Sequence, residues 1–282
     1  MLDIAQDHIL CTLYEAGIFN NGLVFKGGTA LRKCRSGSRG RFSTDLDFTV
    51  TSNEMTFQVF ELIHQLECHG FRFELENQNL DTGRADLHVY PPFQENGRTS
   101  QVALRTSSKL EISTRSTWLK VDALRFVDSA SHIALDHEIP TMPMVCLTEA
   151  VAEKLARYAR EPIVRDLYDL WWYGENVRLD EPTIRSIWIK KVYLDSVLEG
   201  KWKNRKFDPQ LVISDKVLKR LRTEQIGMYH DEADVPIWDF EFRSRFGFLT
   251  QLSDEDRKWA QCNPKYIYEF KQGVRSLLKA PQ

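Results

Sequence analysis

Long apolar segments are absent from this 282-residue chain. No stretch approaches the roughly 18 uncharged apolar residues that a membrane-spanning helix requires. The first residues, MLDIAQDHIL, also lack the basic start and the long apolar run of a secretory signal. These absences predict a cytoplasmic protein without a membrane partner.

Cysteine is scarce, and its five positions are scattered without any CxxC spacing: Cys11, Cys34, Cys68, Cys146 and Cys262. An odd number of dispersed thiols argues against a disulfide framework and against a zinc or redox pair, so reduced and mostly buried thiols are expected. The helix predicted over 53–69 carries His64 and His69, but the pair does not come with a cysteine or a third histidine at ligand spacing. We therefore expect no histidine metal site.

A large excess of one charge is also missing, because 38 basic residues stand against 40 acidic ones and the net charge is −2. This argues against a basic coat for indiscriminate nucleic-acid binding. The segment 185–206 is an exception, with seven basic and two acidic residues interleaved with Trp188, Tyr193 and Trp202. It is either a patch that attracts phosphates and offers stacking faces, or a solvated helix face whose aromatic rings lie in the core.

The apolar pattern divides the chain into a part with strands and a part with helices alone. Before residue 145 it predicts helices over 4–18 and 53–69 and strands over 23–25, 42–50, 71–76, 85–90, 102–105 and 110–113. The Ser-, Gly- and Arg-rich stretch 35–41 predicts a mobile loop. After residue 145 the pattern predicts helices over 148–160, 164–173, 181–198, 208–222 and 264–279. We expect an α+β protein with a mixed-sheet domain at 1–145 and a mainly helical domain at 146–282.

The first chemical signal is a glycine turn between the strand at 23–25 and a helix that is predicted to open at Thr29. Such a turn exposes backbone N–H groups and directs a helix N-terminus outward, and both features favour a bound phosphate. Gly27 and Gly28 are the candidate residues, with the hydroxyl of Thr29 as a further donor. A glycine pair is also common in turns that bind nothing.

The second signal is the pair Asp45 and Asp47, which alternation places on one face of the strand predicted over 42–50. Two such carboxylates suit hard cations such as Mg²⁺. A third carboxylate on a neighbouring strand would complete a two-ion site, and Glu111 is the candidate because its neighbours Leu110 and Ile112 suit the core. The alternative is an exposed edge strand whose charges block aggregation.

The motifs GGTALRK, STDLD, KLEIS, LTEAVAEK and RDLYD follow one another in this order within residues 20–175. The joint order resembles the AbiEii/AbiGii group of toxin nucleotidyltransferases, which includes the mycobacterial MenT toxins. The resemblance implies a nucleotidyltransferase-like fold, an NTP substrate used with Mg²⁺ or Mn²⁺, and release of pyrophosphate. It also implies a cognate antitoxin protein as a partner.

The resemblance further implies roles for individual residues. Gly27, Gly28 and Thr29 would hold the nucleotide phosphates, and Asp45 and Asp47 would be the metal-binding pair. Thr29 stands where many members of the wider superfamily have serine, a change that keeps the hydroxyl.

Three more positions follow from the same resemblance. Glu111 would be the third carboxylate, although aspartate is common there and the extra methylene shifts its oxygens. Lys154 would place a point charge on the triphosphate, and Asp169 would orient Lys154 or the base. Judged from the residues alone, Lys154 is equally compatible with a solvated surface, and Asp169 with a simple helical pair with Arg165.

Three functions are compatible with these features. The first is transfer of a nucleoside monophosphate from an NTP to an RNA end, with the 3′ end of tRNA as the leading acceptor, which would block translation. The second keeps this chemistry but uses a small molecule or a protein hydroxyl as the acceptor, and the third is a nucleotide-binding partner protein without catalysis. An RNA acceptor would be bound by four cations of the segment 185–206: Lys190, Lys191, Lys203 and Arg205.

Overall fold

The protein was analysed as a computed structural model that describes residues 1–92, 105–127, 140–203, 205–222 and 234–279. Its chain divides into two compact units. The sheet unit comprises Met1–Thr117 and Val121–Val145, and the helical unit comprises Trp118–Lys120 and Cys146–Gln282. Of the helices in the described ranges, none combines the length and apolar character that crossing a membrane needs. The strand predicted over 102–105 lies, apart from Arg105, outside the described residues.

The sheet unit contains one mixed sheet of eight described strands: β1 (Val24–Lys26), β2 (Leu46–Thr49), β3 (Glu67–Cys68), β4 (Phe71–Asn79), β5 (Arg84–Tyr90), β6 (Thr106–Ser113), β7 (Asp122–Leu124) and β8 (Met142–Met144). Their order across the sheet is β3-β4-β5-β6-β2-β1-β8-β7. The pairs β2–β6 and β1–β8 are parallel, and the others are antiparallel. Together with its flanking helices, this sheet confirms the predicted fold class.

The described residues of the sheet unit contain three α-helices: α1 (Leu2–Glu15), α2 (Gly27–Leu31) and α3 (Asn53–Ile63). They and the strands bury one continuous apolar cluster, in which Leu46 and Phe48 of β2 are fully buried. Because side chains alternate along a strand, Asp47 between them points to the opposite face and is only half-buried. The core thus fixes which face of β2 carries its polar residue.

Helix α3 is shorter than the predicted helix over 53–69. It begins at an N-cap, where the Ser52 hydroxyl accepts a hydrogen bond from the Met55 N–H at 3.4 Å, and it ends at Ile63. His64 is already extended, and His69 lies in the turn between β3 and β4. The prediction that His64 and His69 share one helix is therefore wrong, because pairing of β3 with β4 replaces the last helical turn.

The Ser-, Gly- and Arg-rich stretch, predicted as a mobile loop, is partly helical. A π-helical turn covers Arg32–Ser36, and a 3-10 turn covers Gly37–Arg39. Lys33 lies in the first of these turns, where its buried ammonium is 2.9 Å from Asp3 Oδ1 and 2.5 Å from Asp7 Oδ1 on α1. These ion pairs join the stretch to α1, and no short-range sequence pattern reports them.

The helical unit has seven α-helices in its described residues: α4 (Leu147–Arg160), α5 (Val164–Asn176), α6 (Glu181–Tyr193), α7 (Pro209–Val212), α8 (Val235–Arg245), α9 (Asp254–Ala260) and α10 (Ile267–Lys279). A π-helical turn, Leu194–Leu198, extends α6, and a 3-10 turn, Asp215–Arg220, follows α7. The helices predicted over 181–198 and 208–222 are therefore interrupted, and α8 and α9 were not predicted. The rings of Trp188, Tyr193 and Trp202 are buried in this unit.

One buried carboxylate organises the start of the helical unit. Glu149 on α4 accepts hydrogen bonds from the backbone N–H of Trp118 at 2.8 Å and of Leu119 at 2.9 Å. Its other oxygen lies 2.7 Å from Nζ of Lys191 on α6, and that ammonium also lies 2.8 Å from Glu153 and 4.3 Å from the centre of the Trp118 ring. Burial disfavours the charged form of Lys191, but the two carboxylates outweigh this effect and raise its pKa above the ordinary value.

Replacing Glu149 by Ala should lower the free energy of unfolding by about 3–5 kcal/mol, because it removes a buried partner of Lys191 and the acceptor of two backbone N–H groups. Urea unfolding followed by circular dichroism measures the loss. The matched control is Glu153→Ala, which removes the half-exposed carboxylate from the same lysine and should cost about 1 kcal/mol or less. Equal losses in the two variants would contradict the organising role of Glu149.

Candidate active site

The register of β2 aligns four charged residues across four neighbouring strands. Lys26 of β1 is paired with Asp47 of β2, Asp47 with Glu111 of β6, and Glu111 with Arg84 of β5. Residues directly opposite in a sheet share one face, so two carboxylates lie side by side with a cation beyond each. We call these four residues the charged row.

Asp45 lies outside the regular strand, although the sequence analysis predicted it within a strand over 42–50. β2 begins at Leu46, and the segment Ser43–Asp45 is irregular. Asp45 therefore lies in the irregular segment that leads into β2, and strand alternation does not set the direction of its side chain.

Side chains from three elements satisfy the carbonyl groups of this irregular segment. Gln6 of α1 donates through Nε2 to the carbonyls of Ser43 at 3.1 Å and Thr44 at 2.6 Å. The hydroxyl of Ser108 on β6 also donates to Thr44, and the hydroxyl of Thr29 on α2 donates to the carbonyl of Asp45. Buried carbonyl groups need such partners, and these bonds fix the backbone that carries Asp45.

The glycine turn packs against the second aspartate at a distance that only glycine permits. Gly27 has a φ of +81°, and a Cβ atom on it would lie 2.1 Å from Oδ2 of Asp47. A Cβ atom on Gly28 would lie 2.6 Å from Nη2 of Arg41 and 2.9 Å from Oγ of Ser43. The backbone of the turn, which carries no side chains, therefore contacts the Asp47 carboxylate at Gly27 and the Arg41 guanidinium at Gly28.

Two residues at or beside the turn differ from expectation. Thr29 is fully buried, and its hydroxyl is committed to the Asp45 carbonyl, so it holds the aspartate segment in place rather than facing a phosphate. Arg41 was missed by the sequence analysis because it ends a stretch that resembles a loop. Only 6% of it is exposed, and its Nη1 donates to the carbonyl of Phe42 at 3.1 Å.

The donor set of the site suits a hard divalent cation. Asp45 and Asp47 are half-buried and offer only oxygen, and Asp47 stands directly opposite Glu111. Two like charges in that position are destabilising without a cation between them. In this structure Glu111 Oε1 instead lies 3.5 Å from Nε of Arg84, and the three carboxylates are not gathered within 4.8 Å of one another. The two aspartates thus offer the oxygen ligands that a hard divalent cation takes, and Glu111 can join them only after it turns from Arg84.

Lys154 and Asp169 lie together in the helical unit. Nζ of Lys154 on α4 is 2.7 Å from Oδ2 of Asp169 and 3.3 Å from Oδ1 of Asp166, both on α5. Arg157 approaches the other oxygen of Asp166 at 3.0 Å. Both aspartates are buried, and only 10% of the Lys154 side chain is exposed. This arrangement does not match a solvated surface lysine.

The structure corrects the expected acceptor surface at one residue. Lys191 is 3% exposed and held by Glu149 and Glu153, so it offers no cation to an acceptor. Lys190 lies 3.1 Å from Glu255 on α9 and is largely covered. Lys203 and Arg205 are exposed.

A glycine turn packed against Asp47, with Glu111 beside this aspartate in a mixed sheet, is the arrangement expected of a nucleotidyltransferase site. Residues 8–265 match the family described as nucleotidyl transferase AbiEii toxin of a type IV toxin–antitoxin system. The solved structure of MenT4, a nucleotidyltransferase toxin from Mycobacterium tuberculosis H37Rv, is 35% identical, with a TM-score of 0.86 over 98% of this chain and 92% of that chain. The chain belongs to the AbiEii family of nucleotidyltransferase toxins.

A more distant structure shows the same fold. JHP933 from Helicobacter pylori is 16% identical, with a TM-score of 0.50 over 96% of this chain and 94% of that chain. No curated protein has a sequence significantly similar to this chain. The family assignment thus depends on the AbiEii match and on the similarity to MenT4.

Replacing Gly27 by Ala should lower the rate of nucleotide transfer by about 100-fold, because the new methyl group displaces the Asp47 carboxylate by about an ångström. The rate is measured as pyrophosphate released from NTP. Gly17→Ala is the matched control, since Gly17 also has a positive φ, +73°, but has open space around its Cβ position. Both variants should lose similar thermal stability from backbone strain, and a similar loss of rate in both would contradict the steric role of Gly27.

Proposed function

We propose that the chain is a metal-dependent nucleotidyltransferase that transfers a nucleoside monophosphate from an NTP to an RNA acceptor, namely the 3′ end of tRNA. The transfer releases pyrophosphate and blocks translation, and a cognate antitoxin protein neutralises the enzyme. The observation that carries the proposal is the placement of the bare glycine turn against Asp47, whose neighbour in the charged row is Glu111.

The carboxylates supply the metal ligands in this proposal. Asp45 and Asp47 hold Mg²⁺ or Mn²⁺, which lowers the charge barrier between the attacking hydroxyl and the phosphate. Glu111 joins them as the third carboxylate when it leaves Arg84. Gln6 and Thr29 position the backbone of the Asp45 segment, so that this carboxylate does not need to be ordered by the substrate.

The nucleotide phosphates are held by the glycine turn together with a cation. Gly27 and Gly28 have no side chain that would keep a phosphate from their backbone N–H groups. The guanidinium of Arg41 lies beside Gly28, and it matches the geometry of phosphate oxygens. We therefore add Arg41 to the residues that bind the triphosphate.

Lys154 is assigned to the triphosphate by the family resemblance, and Asp169 is assigned as the residue that orients it. The supporting observation within the helical unit is that Nζ of Lys154 lies 2.7 Å from Asp169 and 3.3 Å from Asp166. These two buried aspartates hold the ammonium in one position. A lysine that is fixed in this way acts as a preorganised point charge, because little side-chain entropy remains to be lost on binding.

A cavity in the helical unit supports an RNA acceptor. It encloses about 340 Å³, and its walls include the aromatic rings of Tyr158, Trp202 and Phe207. Three cations also line it: Arg205, Lys206 and Arg220. Cations beside aromatic side chains are the features that bind a nucleotide of a single strand.

Incubation of the purified protein with each labelled NTP, Mg²⁺ and total RNA should label tRNA, and a chelator should abolish the labelling. Asp45→Ala should reduce labelling by at least about 1000-fold, because it removes a metal ligand. The matched control is Asp81→Ala, an exposed carboxylate in the turn between β4 and β5, which should keep normal labelling. Expression of the native chain should also arrest bacterial growth, and Asp45→Ala should relieve the arrest.

Other outcomes discriminate between the candidate functions. Label on a protein or a small molecule in place of RNA would contradict the RNA acceptor while keeping the enzymatic class. Equal growth arrest by the native chain and by Asp45→Ala, at matched expression, would contradict a catalytic toxin.

Charge reversal at Lys203 and Arg205 should weaken RNA binding and lower the slope of log affinity against log salt by about 1 for each phosphate contact that is lost. NTP binding should be unchanged. The charge-matched control is reversal at Lys271 and Arg275, two exposed residues of α10, which should alter the slope much less. Filter binding across a salt series measures both, and identical slopes for the two double variants would contradict an acceptor surface at Lys203 and Arg205.

A further inference from the structure

Three nitrogen and sulfur donors meet at one end of the sheet unit, outside the charged row. His8 lies on α1, Cys68 ends β3, and His69 follows in the turn. One ligand atom from each lies within 4.8 Å of the other two. Among the described residues, this is the one group of three or more His, Cys, Asp or Glu side chains that gathers so closely.

The β3–β4 hairpin creates this arrangement. Cys68 pairs with Phe71, so His69 and Gly70 form a two-residue turn. Both have positive φ values, +47° and +79°, as a type I′ turn requires. The turn places consecutive cysteine and histidine side chains near α1, and the sequence analysis missed it because a helix was predicted through His69.

Ring stacking alone does not account for the group. The His8 and His69 rings are 4.7 Å apart with an interplanar angle of 18°, and His8 also contacts Phe71. These contacts explain the positions of the rings but not that of the Cys68 thiol beside them. His8 is buried, Cys68 is half-buried and His69 is exposed, so the group is anchored on one side and open to solvent on the other.

The local charge favours a cation. Glu15, Cys11 and His8 share one face of α1 because they follow a helical spacing. The Glu15 carboxylate therefore lies on the same side of the helix as His8, and its negative charge attracts a divalent ion to the group.

We propose that His8, Cys68 and His69 form a binding site for a borderline-soft divalent ion, above all Zn²⁺, that is distinct from the carboxylate site. Zinc takes imidazole and thiolate ligands at about 2.0–2.3 Å in a tetrahedral arrangement, which sets ligand atoms about 3.5 Å apart. Small side-chain rotations bring the three ligand atoms from their observed separations, within 4.8 Å, to that spacing. The exposed side of His69 leaves the fourth position to water.

The two sites select different ions because their donors differ. The carboxylates of Asp45, Asp47 and Glu111 offer oxygen alone, which suits Mg²⁺ or Mn²⁺, whereas the His8 group offers nitrogen and sulfur, which magnesium does not bind. A zinc ion in the second site would join α1 to the hairpin. The same helix carries Gln6, which holds the Asp45 segment, so the ion would stiffen a support of the candidate active site.

Metal titration of the full chain, freed of metal by a chelator, tests the proposal. Zn²⁺ should bind with one equivalent at high affinity. Co²⁺, used as a spectroscopic probe, should give a thiolate charge-transfer band and the intense visible bands of a four-coordinate ion. Cys68→Ser should remove the charge-transfer band, and His69→Ala should weaken Zn²⁺ binding at least about tenfold.

The controls keep the test independent of folding and of catalysis. His69 is exposed, so His69→Ala should preserve the circular dichroism spectrum even if a change at buried His8 does not. Cys262→Ser removes a half-buried thiol of the helical unit and should leave the cobalt spectrum unchanged. Asp45→Ala should also bind zinc normally. A cobalt spectrum without a thiolate band, or zinc affinities that are equal in the native chain, Cys68→Ser and His69→Ala, would overturn the proposal.

Discussion

The alignment of β2 between β1 and β6 is the constraint on which the rest of the candidate active site depends. It places Asp47 opposite Glu111, and it places Gly27, which follows Lys26, against the Asp47 carboxylate. A slip of β2 by one residue would turn Asp47 into the apolar core and expose Leu46 and Phe48, which makes such a register very costly. The burial of Leu46 and Phe48 requires the observed register, so apolar packing determines which face of β2 carries Asp47.

Helix α1 is the second determinant of the sheet unit, and it acts through polar side chains on several of its faces. Gln6 holds the carbonyls of Ser43 and Thr44, and Asp7 holds the buried ammonium of Lys33. Next to them, His8 belongs to the proposed zinc site. Helix α1 therefore packs its apolar side chains into the core and also orders the backbone beside the candidate metal-binding acids.

Local patterns in the sequence were sufficient for the glycine turn and for the faces of Asp47 on β2 and Glu111 on β6, because each depends on residues close along the chain or on strand alternation. They failed where partners are distant. Lys191 stands in a basic run, yet it is buried by carboxylates from another helix, and no spacing rule reports that. His69 was assigned to a helix because the apolar stripe of α3 overrode the signal of His69-Gly70 as a hairpin turn. Arg41 was hidden for a similar reason, since its loop-like composition says nothing of its burial.

The segment Trp118–Lys120 belongs to the helical unit although residues of the sheet unit flank it on both sides. On the ribosome, these three residues emerge well before Glu149 and Lys191, and before Phe270 of the last helix, whose ring lies 6.2 Å from that of Trp118. The nascent chain therefore cannot complete the sheet unit and then start the helical unit in strict succession, as separate domains do. Trp118 therefore lacks its contact with Phe270 until α10 has been synthesised, and a chain that is truncated before α10 never forms this contact.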